Sequence, residues 1–347
     1  SGPKEGWSAL QNKEYGYGLG WDDVNTYPFS QYGVKALVKG GDAIYCHGSL
    51  IVLPEENKAF AGLSSGGSST VNQIFGSAIL LRALQKDGVI EDITSYVQSY
   101  EKPVKQMIPS DMKQYEGYYS NMQDVFKVEM NNDGTMKLTS LGTEQSNILT
   151  YAGNGKFRVL NGTAEYWFVK EENGEVYLRQ GSYASLAGIG NYFMEVYAAQ
   201  KIESNPLSEE VAAAWNQRKG KGYFIISEKY SSVNYFSGGM LSKIDFLEEL
   251  EGYLGNAKII DENNAVTELQ IPEQVGRDLR DYEFYTKKGV EYMRMNHYLL
   301  ISEDGVSKLP VKKNYDITID KDGYAKWYYV NKKAAKRVMK VVPPENG

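Results

Sequence analysis

The chain holds 347 residues, with 38 basic and 44 acidic side chains, a formal net charge of −6, one cysteine and two histidines. Its length and 42% hydrophobic content supply two or three domain cores and exclude wholesale disorder. Mild acidity without a strong basic cluster excludes nucleic acid as the main partner. The lone Cys46 excludes a disulfide framework and a Cys-rich zinc module, and two distant histidines speak against a metal site, so no metal or cofactor is expected. The 28 tyrosines and 35 glycines favour strands and tight turns, hence a largely β protein.

The chain opens Ser1-Gly2-Pro3-Lys4 without a Met, as a cleaved or engineered chain does, which leaves room for an export signal upstream. Val34, Ala36 and Val38 alternate with Lys35 and Leu37, a strand pattern. After Gly40-Gly41, the run Ser49 to Leu53, the turn Pro54-Glu55-Glu56-Asn57 and the run Ala59 to Leu63 read as a hairpin. Both faces of these two strands are apolar, which places them in the middle of a covered sheet. The clearest helix follows. Thr70 is its expected N-cap, with Gln73 three residues on; Val71, Ile74, Phe75, Ala78 and Ile79 keep helical spacing, and Gly88 ends it. Leu80, Leu81 and Leu84 widen its apolar stripe, which predicts burial on more than one side. No apolar stretch approaches the roughly 20 residues that cross a bilayer, so no membrane span is expected in this chain.

Residues 99–110, with Pro103 and Pro109 among charged neighbours, read as a linker. From Met112 to about Ile202, Tyr- and Val-rich strands are separated by Asn131-Asn132-Asp133-Gly134, Gly153-Asn154-Gly155, Asn161-Gly162 and Glu172-Asn173-Gly174. That spacing predicts an antiparallel meander closed as a barrel or sandwich. A helical run, Glu209 to Gln217, leads into the last region. There Tyr223 to Ile226, Tyr282 to Tyr285, Glu291 to Met295, Tyr298 to Ile301 and Ala325 to Val330 read as strands, with Asp304-Gly305 and Asp322-Gly323 as hairpin turns. The basic tail, Lys332 to Lys340, reads as a solvated edge. The expected fold class is α+β multidomain. Residues 1–100 form an antiparallel sheet with its helix, 101–111 a linker, 112–202 an antiparallel β-barrel and 203–347 a second β-rich domain.

The motifs of the first region follow a recognisable order. Tyr15-Gly16-Tyr17-Gly18-Leu19-Gly20-Trp21 precedes Lys39-Gly40-Gly41, then Ser49 to Leu53, Pro54-Glu55-Glu56-Asn57-Lys58 and Ala59 to Ser65. This resembles the C-terminal end of the serine β-lactamase and penicillin-binding-protein family, in the branch of class C β-lactamases, DD-peptidases, D-aminopeptidases and esterases. The match spans about residues 7 to 90. It implies part of that family's α/β sandwich, with Lys39 and Asp42 as catalytic positions: Lys39 as a charge on the wall of the cleft, and the Asp42 N–H as one of two oxyanion-hole donors. Gly40, Gly41 and His47 would then bind substrate. A Lys at the mouth of a strand places positive charge near substrate carboxylates, and glycines let a substrate backbone lie against the strand. Lys-Gly-Gly-Asp can also be a strand end turning at the surface, and His47, in Tyr45-Cys46-His47-Gly48, can be a turn histidine.

The family also needs an acylated Ser in S-x-x-K and a relaying Tyr. Three S-x-x-K matches occur, starting at Ser1, Ser99 and Ser110, against about two expected by chance. Each follows the wrong order or spacing for the nucleophile, so the chain is expected to lack it. Where relatives place hydroxyl residues to grip a substrate carboxylate, this chain has Gly40 and Asp42. That substitution disfavours β-lactam turnover and leaves peptidase or esterase action.

Trp167, Trp215 and Trp327 could stack on ligands, or serve as core and cross-strand pairs. Tyr115-Glu116-Gly117-Tyr118-Tyr119 resembles the start of the lipocalin-like β domains that follow this hydrolase fold in D-aminopeptidase-type proteins. Such a domain implies gating or specificity at the active-site mouth. The function expected is therefore the C-terminal portion of a β-lactamase-like serine hydrolase acting on D-amino-acid peptides or related amides and esters, inactive alone. The alternative is a non-catalytic module that binds cell-wall glycan or peptide and carries a hydrolase remnant. Expected partners are a missing N-terminal half, or a second copy by strand exchange, together with a peptide or cell-wall-derived small substrate. The resemblance implies a location outside the cytoplasm, at a bacterial cell envelope.

Overall fold

Strands dominate because the sequence alternates far more often than it keeps helical spacing. The structure, a computed structural model, describes residues 18, 20–93, 98–235, 239–272, 274–276, 278–309, 320–332 and 335. It divides into two compact units, Ser1–Ser204 with Leu269–Leu279, and Asn205–Glu268 with Arg280–Gly347. Both are mostly β, with the α-helices Ser69–Lys86 in the first and Glu209–Asn216 in the second. The chain is thus β-rich rather than the expected α+β, since one long amphipathic segment does not offset so many strands.

In the first unit β1 (Leu37–Asp42), β2 (His47–Leu53) and β3 (Lys58–Ser64) form an antiparallel sheet in that order. Val38, Ile51 and Phe60 face one another across the strands. That face carries α1 (Ser69–Lys86) and a core including Val38, Ile51, Leu53, Leu80, Leu81 and Leu84. Gly76 of α1 has no room for a Cβ because the Phe60 ring occupies the space, so the helix sits directly on the sheet.

The N-cap is Ser68 rather than the expected Thr70. Ser68 is extended (φ −157, ψ 167) and its hydroxyl accepts from the Val71 N–H at 3.3 Å. At the other end the Gly88 and Val89 amides donate back to the Gln85 and Leu84 carbonyls, with Gly88 at φ +75, so the glycine closes a left-handed cap. The opposite face of the sheet departs from expectation. β3 is an edge strand, and Leu63 is 92% exposed on the face away from α1. An apolar strand does not imply a covered one when no layer among the described residues covers it.

The barrel is closed in the order β10-β11-β4-β5-β6-β7-β8-β9, with β4 at Gly117–Ser120, β5 at Val125–Met130, β6 at Thr135–Ser140, β7 at Ser146–Gly153, β8 at Lys156–Arg158, β9 at Ala164–Lys170, β10 at Val176–Leu186 and β11 at Gly190–Ile202. The four turn segments read from the sequence join β5–β6, β7–β8, β8–β9 and β9–β10. Tyr119, Val128, Met136, Leu149, Phe157 and Leu178 fill the interior. The β10–β11 hairpin is long enough to reach α1: a Cβ on Gly190 would lie 3.5 Å from Ile74 and 3.9 Å from Ala78. Residues 269–279 return to this unit, where Leu269 and Ile271 cover Tyr177 and Tyr197.

The second unit is a curled, open eight-stranded sheet. Its strands are β12 (Gly222–Ile225), β13 (Leu241–Lys243), β14 (Tyr253–Leu254), β15 (Ala257–Ile259), β16 (Asn264–Val266), β17 (Tyr282–Lys287), β18 (Val290–Met295) and β19 (Tyr298–Ser302). Helix α2 (Glu209–Asn216), capped by Ser208, brings Trp215 into the core. Behind it the Arg218 guanidinium donates to Glu291 at 2.8 Å, and Tyr223 donates to the same carboxylate at 2.5 Å. Burial works to raise the Glu291 carboxyl, but the hydrogen bonds from Tyr223 and Arg218, with the charges of Arg218 and Lys221, hold it below its ordinary value.

Asp304-Gly305 is a 3-10 turn rather than a hairpin. The tight turns of this sheet use Lys288-Gly289 and Asn296, all at positive φ. Of the run 325–330, Tyr328–Tyr329 alone forms a strand, β21, parallel to β20 (Ser307–Lys308). Most of the basic tail lies outside the described residues.

Candidate functional site

β1 has β2 on one side and a short strip of chain on the other. The Val38 N–H donates to the Asp23 carbonyl at 2.8 Å, and the Asp22 N–H donates to the Val38 carbonyl at 2.9 Å. Alternate residues of an antiparallel strand aim their amides to the same side, so Val38, Gly40 and Asp42 all direct their N–H groups to this outer edge. The Gly40 N–H donates to Asp22 Oδ2 at 2.8 Å. The neighbouring Lys39 Nζ lies 2.5 Å from Asp22 Oδ1, with the lysine side chain 40% and the aspartate 9% exposed. One carboxylate is thus held by a cation and a backbone amide together.

Asp42 is engaged at its side chain. Its carboxylate accepts from the Ser69 N–H at 2.8 Å and the Ser69 hydroxyl at 2.6 Å, and Oδ1 is 2.7 Å from His47 Nδ1. It therefore caps the first turn of α1 and ties that helix to the β1–β2 hairpin. Burial works to raise the Asp42 carboxyl, but the Ser69 hydrogen bonds, then the His47 hydrogen bond and charge, bring it below its ordinary value.

The glycines differ in what they allow. A Cβ on Gly41 would meet nothing within 4 Å, whereas one on Gly40 would lie 3.2 Å from Ser69 Oγ and 3.3 Å from its Cβ. A hydroxyl side chain at position 40 would press on Ser69, the first residue of α1.

Two hollows flank the edge. One, of about 280 Å³, is lined by Asp22, Gly40, Asp42, the first turn of α1, and Tyr192 and Met194 of β11. Burial, with the charges of Asp23 and Asp22, pushes the Tyr192 phenol up, so it stays protonated. The other, of about 670 Å³, is broad and lies on the hairpin side; it is lined by Gly41, His47, Leu63 and the exposed Cys46. Lys39, Gly40, Gly41, Asp42 and His47 are therefore neighbours on two strands: Gly40, Gly41 and Asp42 line the first hollow, and Gly41, Asp42 and His47 the second.

Sequence reasoning missed Asp22, Ser69 and Tyr192. Asp22 follows Trp21 directly, and that adjacency was the one signal available for it. Tyr192 comes from a distant hairpin and left none.

Ser110 is exposed and opens a 3-10 turn, Ser110–Tyr115, which also contains Lys113. Ser99 and Lys102 lie on irregular chain, and Ser1 to Lys4 and Tyr15 to Tyr17 are outside the described residues. Trp215 is 1% exposed in a core, Lys156 Nζ lies 3.4 Å above the Trp167 ring, and Trp327 packs on Phe224. Among the described residues, no group of three or more His, Cys, Asp or Glu side chains could hold a metal ion, and no helix is long and apolar enough to cross a membrane.

Comparison with known protein families and with curated proteins finds no match. Among solved structures, one likeness is to SurE with D-Leu, at 16% identity and a TM-score of 0.25, covering 54% of this chain and 36% of that one. Another is to the octameric penicillin-binding protein homologue from Pyrococcus abyssi, at 16% identity and a TM-score of 0.17, covering 52% of this chain and 37% of that one. The chain thus spans little more than a third of the length of either, and likenesses of this size assign no activity.

A carboxyl held below its ordinary value stabilises the fold above its unfolded pKa, and that contribution is lost as pH falls through the lowered one. Asp42→Asn is expected to lower the melting temperature at neutral pH. It should also flatten the loss of stability that the wild type shows below about pH 4. Thermal melts across pH 2.5 to 7 check this, and parallel curves for the two proteins would contradict it.

Proposed function

We propose that the first region, residues 1–100, is the C-terminal part of a β-lactamase-like serine hydrolase, acting through a Ser acyl-enzyme on D-amino-acid peptides or related amides and esters. The observation that carries this reading is the outer edge of β1, where Lys39 and the amides of Gly40 and Asp42 stand beside a hollow. In acyl transfer the Asp42 N–H would donate to the developing oxyanion, with a second donor from the nucleophile's own amide. Lys39, its ammonium paired with Asp22, borders the same edge. Gly41 leaves space for a substrate backbone to lie along the strand.

The attacking Ser, its Lys and the relaying Tyr would come from a separate N-terminal half, since Ser110 and Ser99 lie on an exposed turn and on irregular chain. The barrel would act as a lipocalin-like domain that shapes the mouth of the cleft through β11. An enzyme of this kind would work outside the cytoplasm, at a bacterial envelope.

This chain alone is expected to turn over none of nitrocefin, D-amino-acid p-nitroanilides and p-nitrophenyl esters. Turnover that survives Lys39→Ala and is abolished by Ser110→Ala would overturn both the assignment of the wall and the need for a second half.

The edge of β3, unpaired among the described residues, and the exposed Leu63 on that strand support association with that half or, in its absence, strand exchange between two copies. Size-exclusion chromatography with light scattering is expected to show dimers or larger species at micromolar concentration. A monomer at every concentration would count against the association.

A further inference from the structure

Lys39 Nζ and the Gly40 N–H converge on one point, and a carboxylate fills it. That carboxylate is the chain's own. Asp22 is 7% exposed, and its backbone is fixed by the hydrogen bond from its N–H to the Val38 carbonyl and by the pairing of Asp23 with Val38. It reaches the convergence point with both oxygens, one on each donor. An ammonium and an outward backbone amide at the mouth of a strand are a pair suited to a carboxylate from outside. Here the pair is satisfied internally.

The rest of the hollow has the same bias. Asp42 stands two residues along from Gly40 with its carboxylate held ionised by Ser69, and Asp23, 8% exposed, lines the same space. Among the described residues the lining of the hollow carries three carboxylates, Asp22, Asp23 and Asp42, and the one ammonium at its border, Lys39, is already neutralised by Asp22.

The geometry points to Asp22 as the specificity-determining residue of this wall. It occupies the place of a substrate carboxylate, so the groove admits substrates whose group facing β1 is neutral or cationic and turns carboxylates away. The word substrate rests on the hydrolase reading; the binding behaviour does not, and its test needs no turnover.

The test uses the full chain and two probes, N-acetyl-D-alanine and the neutral N-acetyl-D-alaninamide, titrated while the Gly40 amide is followed by nuclear magnetic resonance. The wild type is expected to show no saturable shift with the carboxylate probe. Asp22→Ser empties the place and is expected to bind that probe at least about tenfold more tightly than the wild type, with the gain weakened by salt and removed by adding Lys39→Ala. The amide probe should show no such gain.

Equal carboxylate binding by the wild type and Asp22→Ser would overturn the inference while leaving the hydrolase reading intact. A carboxylate gain in the variant, with no hydrolysis when a complementary N-terminal half is supplied, would uphold the inference and remove the hydrolase reading. Asp22→Ala, which also empties the place, replaces Asp22→Ser if the latter does not melt cooperatively. If neither neutral variant melts cooperatively, Asp22 is an anchor of the fold and the specificity assignment falls.

Discussion

A carboxylate withdrawn from water must find donors for both oxygens, and Asp22 finds one on Lys39 and one on the Gly40 backbone. This requirement fixes the strip of chain that borders β1. Once the strip is fixed, the Val38 ladder closes on that side, and the outer edge of the sheet becomes one wall of a hollow rather than an open ribbon. Asp42 repeats the arrangement two residues on, with its donors on the first turn of α1, and so ties helix to strand. The barrel completes the surroundings through β11, whose Gly190 lies against α1 and whose Tyr192 lines the hollow.

Legibility in the sequence followed the range of the interactions. Turns such as Gly153-Asn154-Gly155 were readable because positive φ is demanded locally, and Asn154 and Gly155 adopt it. The helix was readable from its spacing, whereas its cap is Ser68, because that residue is extended and its hydroxyl accepts the Val71 N–H. The two- and three-residue strands β13 to β16 carry too few residues for an alternation to register, and they went unread. β3 was misplaced for a different reason. Its apolar residues are compatible with a covered position, and nothing in the sequence states which neighbour is present.

The site divides in the same way. Lys39, Gly40, Gly41, Asp42 and His47 are adjacent in sequence or across one hairpin, so a motif could gather them. Asp22 joins them through a contact spanning 17 positions, and Tyr192 through the fold of a separate barrel. The residues that decide the charge of the groove are therefore the ones sequence reasoning did not supply. The negative charge noted at Asp42 was half of the picture. Its own carboxylate is turned to Ser69 and His47, while Asp22 is the group that meets the lysine.

Amide hydrogen exchange at Gly40 tests the clamp on β1 most directly. A Gly40 N–H bonded to a buried carboxylate should exchange slowly in the wild type and fast in Asp22→Ser, with the Ile51 amide in the sheet core protected in both. A Gly40 amide that exchanges in the wild type as freely as that of the exposed Tyr45 would mean the edge is open, and the wall described here would not exist.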